Sequence, residues 1–284
     1  MEEKKMSNAI YEMVTKKIIE KLEEGVVPWR KPWVNNAAVN WKTQKPYRGI
    51  NTMLLEPGEY ATWKQIQEAG GKVKSGEKSQ IVVFWKFLKK EDEETEEIKT
   101  VPMLRFYKVW EINTQCEGLK SKQKVQTFEN DPIQTAEDIF KGYIGAPSYS
   151  WKSGSAYYVP ALDTINNPPI KDFHSAEEFY STLFHEMIHS TGHESRLKRD
   201  GVTGMHRFGS EDYSKEELVA EIGAAMLCGT AGIATRTIDN SSSYIASWLR
   251  KLKDDKKLVV TAAGQAQKAA DHILGITWNG EEDN

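Results

Sequence analysis

Two histidines four residues apart are the residues of this chain whose types and spacing most directly suggest chemistry, in the segment His185-Glu186-Met187-Ile188-His189. In a helix, residues four apart lie on one face, so the two imidazoles can bind one cation. Glu186 can reach a water at that cation without being a ligand. This arrangement is typical of zinc peptidases, in which the glutamate is the general base. We therefore expect His185 and His189 to bind Zn²⁺, with Mn²⁺ as the alternative metal, and Glu186 to be catalytic.

A zinc peptidase needs a third protein ligand, and the residues after the second histidine exclude one class. Metzincins have a third histidine six residues further on, where this chain has a serine. Residues 216–221 offer carboxylates instead. Glu217 and Glu221 share a helix face, so we expect Glu217 to bind the metal and Glu221 to orient a histidine. Glu221 is the second choice as ligand and Glu216 the third. A capping box between Ser214 and Glu217 is the competing interpretation.

The secondary structure predicted around this motif would bring its residues together. Residues 175–178 form a capping-box pattern that begins a helix running to about His189, and a second helix is predicted over residues 215–228. Residues 149–151 and 156–159 flank a glycine-containing turn typical of a hairpin. The second strand of this hairpin is either an edge that pairs with an extended substrate or part of a closed core. Further helices are expected at residues 136–143, 243–253 and 260–275.

Charge and aromatic residues divide the 284-residue chain into two unlike parts. Residues 25–90 contain 12 Lys/Arg and four Asp/Glu, a net charge of +8. The whole chain has a net charge of -3, so the remainder carries -11. Six of the nine tryptophans lie in the first 110 residues, and all six histidines follow residue 170. This asymmetry predicts two domains, and a polar segment at residues 120–135 gives them the boundaries 1–128 and 129–284.

The fold class expected for this chain is α+β, with two domains. In the first domain, apolar residues at helical spacing predict a helix over residues 8–24, and a shorter helix is expected at residues 62–69. Residues 81–88 and 101–110 are rich in β-branched and aromatic residues, which favours two strands. The acidic block at residues 91–97 between them is predicted to be a solvated loop.

Basic residues in the first domain lie next to tryptophan or tyrosine. Single-stranded nucleic acid is held by cations along its backbone and by aromatic rings under its bases, so this pattern favours such a partner. About half of the tryptophans should nevertheless be buried, with Trp85 and Trp110 expected first in the core. The candidate contacts are Trp29, Arg30, Lys31, Trp41, Lys42, Tyr47, Arg48, Trp63, Lys64, Lys72, Lys74 and Lys78.

Composition excludes several other classes of protein. The chain is 39% hydrophobic and 28% charged, which is typical of a globular protein rather than a disordered or collagenous one. Cys116 and Cys228 cannot form a disulfide framework and lack metal-ligand spacing. No run of 18 apolar residues is present, and the first residues lack the apolar segment of a signal peptide. We therefore expect a cytoplasmic protein without membrane contact.

Motifs along nearly the whole chain carry a resemblance to a known family. Those of the first half are residues 27–33, 47–51, 63–65, 70–78, 107–110 and 115–119. They resemble the N-terminal domain of ArdC-type antirestriction proteins. Those of the second half are residues 158–160, 163–165, 185–193, 196–197, 216–221 and 244–249. They are similar to the zincin-like metallopeptidase domain of the same family.

The resemblance implies an N-terminal domain that binds single-stranded DNA, to which Trp33 and Asn51 would also contribute, and a metal-binding C-terminal domain. It implies a protein of a mobile element or phage that protects incoming DNA from restriction. The second half is also similar to the ImmA class of peptidases, which favours a downstream glutamate as third ligand. Two further functions stay open: a metallopeptidase that cleaves a DNA-associated or regulatory protein, and a metal-stabilised DNA-binding protein without catalysis. Glu186 argues against the last, because a structural metal site needs no general base.

Overall fold

A computed structural model describes seven stretches of the chain, residues 2–24, 26–28, 38–91, 98–122, 132–204, 211–233 and 242–277. Most of the predicted acidic loop and most of the predicted linker lie outside them. Contacts divide the chain into two compact units. The N-terminal unit comprises residues 1–26, 36–125 and 249–260, and the C-terminal unit comprises residues 27–35, 126–248 and 261–284. A single boundary at residue 128 stays a prediction, whereas the two-domain α+β class is confirmed.

The N-terminal unit combines one long helix with short helices and strands. Its elements are α1 Glu2–Glu23, β1 Ala38–Asn40, α2 Asn51–Leu54, β2 Gly58–Thr62, α3 Trp63–Glu68, β3 Lys72–Val73, β4 Gln80–Glu91, β5 Ile98–Glu111, α4 Ile112–Gln115 and β6 Cys116–Glu117. The start of α3 is fixed by a capping box, in which Thr62 and Gln65 each accept a hydrogen bond from the other's backbone N–H. The two predicted strands lie within β4 and β5, which are both longer than expected.

Four strands of this unit form a sheet in the order β1-β2-β5-β4. β4 and β5 pair antiparallel along the whole of β4, β2 is antiparallel to β5, and β1 is parallel to β2. Consecutive strand residues point to opposite faces, so Tyr60 and Ala61 of β2 enter different clusters. Tyr60 packs with Val82 and Val109, and Ala61 packs with Ile66 and Ile112.

The apolar stripe predicted for α1 is buried, and a segment from late in the chain packs on this helix. The stripe residues are each 2% exposed or less: Ile10, Val14, Ile18 and Leu22. Residues 249–260 belong to the same unit. The Thr15 hydroxyl donates a hydrogen bond to the Lys256 carbonyl oxygen at 2.6 Å, and Lys256 Nζ lies 2.8 Å from a carboxylate oxygen of Glu12. The N-terminal unit is therefore completed by residues far away in sequence.

The remaining elements are mostly helical. They are α5 Pro132–Gly142, β7 Ser148–Ser150, β8 Tyr157–Val159, β9 Thr164–Asn166, α6 Ala176–Thr191, α7 Asp200–Thr203, α8 Glu211–Ala231, α9 Ser242–Asp254 and α10 Leu258–Leu274. α8 begins four residues before the predicted Lys215, which places Ser214 inside the helix. Ser214 therefore does not cap α8, and the capping-box interpretation of Glu217 is wrong.

The predicted hairpin of the C-terminal unit is also wrong, because a third strand separates its two strands. The order is β7-β9-β8, with β9 parallel to β7 and antiparallel to β8. The side-chain amide of Asn166 on β9 bonds to the backbone of the intervening turn, which favours this order. It donates to the carbonyl oxygens of Lys152 and Ser155, at 3.1 and 2.8 Å, and accepts from the Lys152 N–H at 3.0 Å. β8 lies at an edge of this sheet.

Two helices, α6 and α8, pack closely in the C-terminal unit. A Cβ atom on Gly223 of α8 would lie only 2.7 Å from Cδ1 of Ile188 on α6, so a glycine is required at this approach. Both helices are buried here, with Leu183, Phe184 and Met187 of α6 inaccessible to solvent. The close approach brings the acidic residues early in α8 next to the histidines of α6.

The sequence predicts cysteines without a disulfide framework and a chain without a membrane-spanning helix. Cys116 and Cys228 are both buried free thiols. Burial raises the pKa of the Cys228 thiol to about 12, so it stays protonated at neutral pH. Over the described stretches, no helix combines the length and the apolar character needed to cross a bilayer.

Candidate metal centre and nucleic-acid surface

The helix that carries the two histidines has a well-defined start. The Ser175 hydroxyl oxygen accepts a hydrogen bond from the Glu178 N–H at 3.2 Å, as the capping-box pattern predicts. The Glu178 carboxylate in turn accepts from the backbone N–H of His174, one residue before the cap, at 3.1 Å. α6 then continues to Thr191, two residues beyond the predicted end. Its length therefore includes both histidines in regular helix.

Three side chains of the C-terminal unit direct ligand atoms to one point. His185 Nε2 and His189 Nε2 are 3.1 Å apart. Glu217 of α8 places one carboxylate oxygen 3.6 Å from His185 Nε2 and the other 3.5 Å from His189 Nε2. Within the described part of the chain, these three residues are the group whose ligand atoms lie close enough together to hold a metal ion.

The geometry of this group fits a tetrahedral metal ion. Ligand atoms about 2.0–2.1 Å from a tetrahedral zinc ion are separated by roughly 3.3 Å, from the tetrahedral angle. The separation of 3.1 Å between the two Nε2 atoms lies close to this value, and each Glu217 oxygen lies 3.5 or 3.6 Å from one of these nitrogens. Two imidazoles and a carboxylate are also a donor set of catalytic zinc sites, which leave a fourth position for water or substrate. The His185 and Glu217 side chains are 26% and 29% exposed, so this position opens to solvent.

A second carboxylate, that of Glu216, contacts His189 on the side of the ring away from the ligand group. Glu216 Oε1 lies 3.2 Å from His189 Nδ1, the ring nitrogen that does not face Glu217. Arg199 holds the same carboxylate with two hydrogen bonds, from Nε to Oε2 at 2.9 Å and from Nη2 to Oε1 at 2.6 Å. The Arg199 and Glu216 side chains are both 6% exposed. At His189, the orienting role expected of Glu221 is therefore taken by Glu216, because residues 216 and 217 both lie beside α6.

The charges around His189 shift its pKa and that of Glu216 in opposite directions. Burial alone would lower the pKa of His189, but the hydrogen bond to Glu216 and the charges of Glu216, Glu186 and Glu217 raise it. Burial alone would raise the pKa of Glu216, but its hydrogen bonds to Arg199 and His189 and their charges lower it. Glu216 is therefore ionised at neutral pH. An ionised Glu216 keeps the proton of a neutral His189 on Nδ1, which leaves Nε2 free to bind a cation.

Arg196, in the loop after α6, connects this loop to the three-stranded sheet. Its Nε donates to the Ser190 carbonyl oxygen at 2.8 Å, and its two Nη groups bond to the Asp163 carboxylate. Asp163 has a left-handed backbone, with φ of 44°, just before β9. Burial alone would raise the pKa of Asp163, but hydrogen bonds from Arg196 and Tyr158 lower it. This pair fixes the end of α6 relative to β9.

The structure separates the predicted DNA-binding residues into several groups. Trp29, Arg30, Lys31 and Trp33 lie outside the described residues. Trp41 is only 8% exposed, and its Nε1 donates to the Lys120 carbonyl oxygen at 2.8 Å. Lys122 Nζ lies 4.0 Å from the centre of the Trp41 ring. A stacking role for Trp41 is therefore wrong, because one edge and one face of its ring are already used inside the unit.

Asn51 is also unsuited to a direct DNA contact. Its side-chain amide donates to the Val83 carbonyl oxygen and accepts from the Val83 N–H, both at 2.7 Å. Asn51 thus replaces a strand neighbour at the outer edge of β4, and it is buried. Tyr47 is partly buried and packs edge-on against Tyr60, with ring centres 6.4 Å apart. Arg48, another predicted DNA contact, has a partner within the chain.

The predicted lysines lie on the surface, and most have neighbours there. Lys42 and Lys64 both approach the Glu68 carboxylate, at 3.0 and 3.8 Å, and Lys72 lies 2.9 Å from Glu117. The Lys74 ammonium donates to a backbone carbonyl at 2.6 Å. The last of the group, Lys78, is exposed. Exposed ion pairs contribute about 0–1 kcal/mol, so phosphates can replace these partners at little cost.

Trp85 and Trp110 are both less buried than the core assignment predicts, whereas Trp63, a candidate DNA contact, is exposed as expected. Trp63 is 52% exposed and packs edge-on against Trp110, with ring centres 5.8 Å apart. Trp110 is partly buried. Trp85, expected in the core, is 38% exposed and packs edge-on against Tyr11, with ring centres 6.4 Å apart.

Known proteins match both halves of the chain. Residues 8–110 match the family model of the N-terminal domain of the anti-restriction factor ArdC, and residues 135–265 match that of a zincin-like metallopeptidase. The crystal structure of the antirestriction ArdC protein from plasmid R388 is 38% identical, covers 94% of this chain and 97% of its own, and has a TM-score of 0.72. This chain belongs to the ArdC antirestriction family.

Two other relatives of this ArdC-family chain are much larger proteins, and a third is similar to it in length. It is 33% and 34% identical to two DNA primase TraC proteins of Escherichia coli, over 94% of its own length but only 20% and 27% of theirs. It is 32% identical to the uncharacterized protein y4eC of Sinorhizobium fredii, covering 92% of this chain and 90% of that protein. The R388 protein is also known in a Mn(II)-bound crystal structure, which has the same identity and TM-score. The zincin-like domain implies a metal for the ArdC family.

The sequence of this ArdC-family chain does not predict the supporting roles of Arg199 and Glu216, although both contact the metal-ligand group or its support. Arg199 gives no signal of its own, because a lone arginine ten residues after a histidine is common on protein surfaces. Glu216 ranks only as a third-choice ligand in the sequence. Its apolar neighbours at Leu218 and Val219 indicate burial of this helix, and a buried glutamate requires a cation nearby. That requirement is the signal that would have pointed to Arg199.

Proposed function

We propose that this chain is an antirestriction protein of a mobile element or phage, which binds single-stranded DNA through its N-terminal unit and acts in the cytoplasm on incoming DNA. Its C-terminal unit carries a metal-dependent, peptidase-like site. His185, His189 and Glu217 are the proposed metal ligands, and Glu186 is the proposed general base. Zn²⁺ is the proposed metal, with Mn²⁺ as the alternative.

The convergence of His185, His189 and Glu217 is the observation that carries the proposal for the metal site. Glu216 and Arg199 support it, because a carboxylate that orients a histidine is a regular feature of metal sites. The relatives do not decide between the two metals, since imidazole and carboxylate ligands accept both. The R388 protein binds Mn(II), which is why manganese stays the alternative here.

The chemistry proposed for the site is hydrolysis of a peptide bond. A metal ion held there would supply Lewis acidity, which polarises a carbonyl and makes water more acidic. Glu186 is only 8% exposed and lies on the same helix as both histidines. Its carboxylate would accept a proton from the attacking water and pass it to the nitrogen of the leaving group. The exposed side of His185 and Glu217 would admit the substrate.

The metal assignment is tested by metal analysis of the purified full chain after dialysis against Zn²⁺ or Mn²⁺. We expect His185→Ala to lose the bound metal and Glu186→Gln to retain it. His174→Ala is the matched control, because His174 is exposed and lies outside the ligand group. Unchanged metal content in His185→Ala would contradict the ligand set.

The DNA assignment is tested by binding of labelled single-stranded and duplex oligonucleotides. We expect preference for the single strand and a linear decrease of log affinity with log salt, with a slope of about -0.7 for each phosphate contacted. Equal binding of duplex, or affinity independent of salt, would contradict it.

The second candidate function is a metallopeptidase that cleaves a DNA-associated or regulatory protein. The observation that favours it is the buried Glu186, which a purely structural metal site does not need. Plasmid transfer into a restricting host separates the two functions. Protection that survives Glu186→Gln would detach it from proteolysis, whereas protection lost together with peptidase activity would favour the second candidate.

A further inference from the structure

A cavity of about 320 Å³ lies in the C-terminal unit, between residues of α5, residues of α6 and the turn after β7. Its walls include Glu137 and Phe140 of α5, Trp151, Ile170, and Phe179 and Tyr180 of α6. Phe179 and Tyr180 are buried, whereas Trp151 and Ile170 are 44% and 47% exposed and form the rim. A concave, mostly apolar site with few polar groups is typical of ligand pockets. We call this cavity the α5–α6 pocket.

The α5–α6 pocket lies on the side of α6 that faces away from the metal ligands. Successive residues of an α-helix are about 100° apart around its axis. Leu183, which also lines the pocket, is two residues before His185 and therefore about 200° away from it around α6. Tyr180 is five residues before His185, which corresponds to about 140°. The pocket is therefore separate from the candidate metal centre.

The aromatic wall of the pocket is fixed by its neighbours. The Trp151 ring packs edge-on against Phe140, with centres 5.9 Å apart, and lies within 27° of parallel to Phe179, with centres 6.0 Å apart. The next residue, Lys152, exchanges two backbone hydrogen bonds with the Asn166 amide. A wall that is already ordered loses little freedom when a ligand binds, which favours binding.

The charged group of the lining is the Glu137 carboxylate. Its Oε1 accepts a hydrogen bond from the Tyr180 hydroxyl, and its Oε2 lies 2.8 Å from Lys141 Nζ. The hydrogen bonds from Lys141 and Tyr180 lower the pKa of Glu137, so it is ionised at neutral pH. Lys141 is 66% exposed, and ion pairs of this kind contribute little. Another cation can therefore replace Lys141 at Oε2.

The rings and the carboxylate together decide which ligand suits the pocket. A cation beside aromatic rings is attracted to them, and arginine is found there more often than lysine, because its planar guanidinium is weakly hydrated. An anionic ligand would be repelled by Glu137, and an apolar side chain would remove water from this carboxylate without giving it a partner. Residues 132–184, which include the whole lining, contain six Asp/Glu and three Lys/Arg. This excess of negative charge also favours a cationic partner.

We propose that the α5–α6 pocket binds an arginine side chain of a partner protein. The aliphatic stem of the arginine lies along the Phe140 and Trp151 rings, and its guanidinium reaches Glu137 Oε2. Long cationic side chains bury their stems in this way while their charge finds a polar partner. The inference goes beyond the proposed function, because neither metal binding nor DNA binding uses this side of α6.

The test uses N-acetyl-L-arginine amide as the probe and the ¹⁵N-labelled full chain as the protein. The indole N–H signal of Trp151, identified by its loss in Trp151→Phe, reports binding by NMR. We expect a saturable shift with a dissociation constant on the order of 1 mM. N-acetyl-L-citrulline amide has the same shape without the charge and should bind about 5-fold more weakly. N-acetyl-L-norleucine amide, which represents an apolar occupant, should bind no better than the citrulline compound.

Glu137→Gln tests the assigned carboxylate. It should weaken binding of the arginine compound by about 5-fold and leave that of the citrulline compound unchanged, which also shows that the pocket is still folded. Asp138→Asn is the matched control, because it removes the same charge from an exposed neighbour on α5 that does not line the pocket. A Trp151 signal that does not respond to the arginine compound would overturn the inference. Equal losses in Glu137→Gln and Asp138→Asn, or tighter binding of the norleucine compound, would also overturn it.

Discussion

Replacement of Glu216 by glutamine tests whether the support behind His189 contributes to metal binding. In the wild-type protein, the carboxylate accepts two hydrogen bonds from Arg199 and one from His189 Nδ1. Glutamine has almost the same shape but only one acceptor oxygen. If that oxygen takes the position of Oε1, the amide NH₂ faces Arg199 Nε–H, so two donors oppose each other. Arg199, with a side chain only 6% exposed, also loses its counter-charge.

Two effects of different size follow from this arrangement. Breaking a buried ion pair by removing one charge costs about 3–5 kcal/mol, and retention of two hydrogen bonds favours the lower end, about 3 kcal/mol of unfolding free energy. Loss of a carboxylate that orients a metal-bound histidine typically reduces metal affinity by about 10- to 100-fold. That reduction corresponds to roughly 1.4–2.7 kcal/mol of binding free energy.

The assay is competition for Zn²⁺ between the protein and a chelating dye, combined with urea unfolding of the metal-free protein. Glu194→Gln is the matched control, because Glu194 is exposed in the loop that follows α6. Arg199→Lys provides a second test, since lysine keeps the charge but cannot make the two-pronged contact. A folded Glu216→Gln protein whose zinc affinity equals that of Glu194→Gln would refute the proposed role of Glu216.

Other consequences of the structure are testable by unfolding experiments. Asn51→Ala should lower the unfolding free energy by about 1–3 kcal/mol, because a backbone N–H and C=O of β4 both lose their partner. Gly223→Ala should cost about 1–3 kcal/mol through overpacking against α6, whereas Gly264→Ala, at an exposed helical position with open space, should add about 0.5–1 kcal/mol. The lowered pKa of Asp163 means that its pairing with Arg196 stabilises the fold above the ordinary aspartate pKa of about 3.9 and is lost as the pH falls through the lower folded value. Urea unfolding below about pH 5 should therefore show a steeper loss of stability in wild type than in Asp163→Asn, and equal slopes would contradict this.

The features that could be predicted from sequence are those set by local spacing. The helix around His185 and His189 follows from its capping residues and from the four-residue interval between ligands. The long strands β4 and β5 follow from runs of β-branched and aromatic residues. The prediction that Glu217, rather than Glu221, lies next to the histidines also follows from the sequence, because it depends on the order of the acidic residues in one helix. In each case, the residues that determine the feature lie within about one helical turn or one strand of each other.

Other features depend on contacts between residues distant in sequence. The position of β9 between β7 and β8 could not be predicted, because the Asn166 amide binds a turn more than ten residues earlier. The burial of Trp41 depends on Lys120 and Lys122, which are separated from it by about 80 residues. The packing of residues 249–260 on α1 joins the residues that are furthest apart in sequence among these contacts. A chain cut at the predicted boundary would leave the apolar face of α1 without this partner.

Residues 216 and 217 show that the sequence pattern of a metal site does not by itself determine which glutamate binds the metal. Both are glutamates, both lie in α8, and the sequence ranks them by spacing alone. In the folded unit, the side chain of residue 216 is 6% exposed and ionised by contact with Arg199, while that of residue 217 is 29% exposed and faces both histidine Nε2 atoms. A buried carboxylate that already has three hydrogen bonds has little remaining capacity to bind a cation, whereas an accessible one retains it. The difference in role thus follows from burial and from one arginine, and Glu217→Gln should reduce metal affinity more than Glu216→Gln while costing less stability.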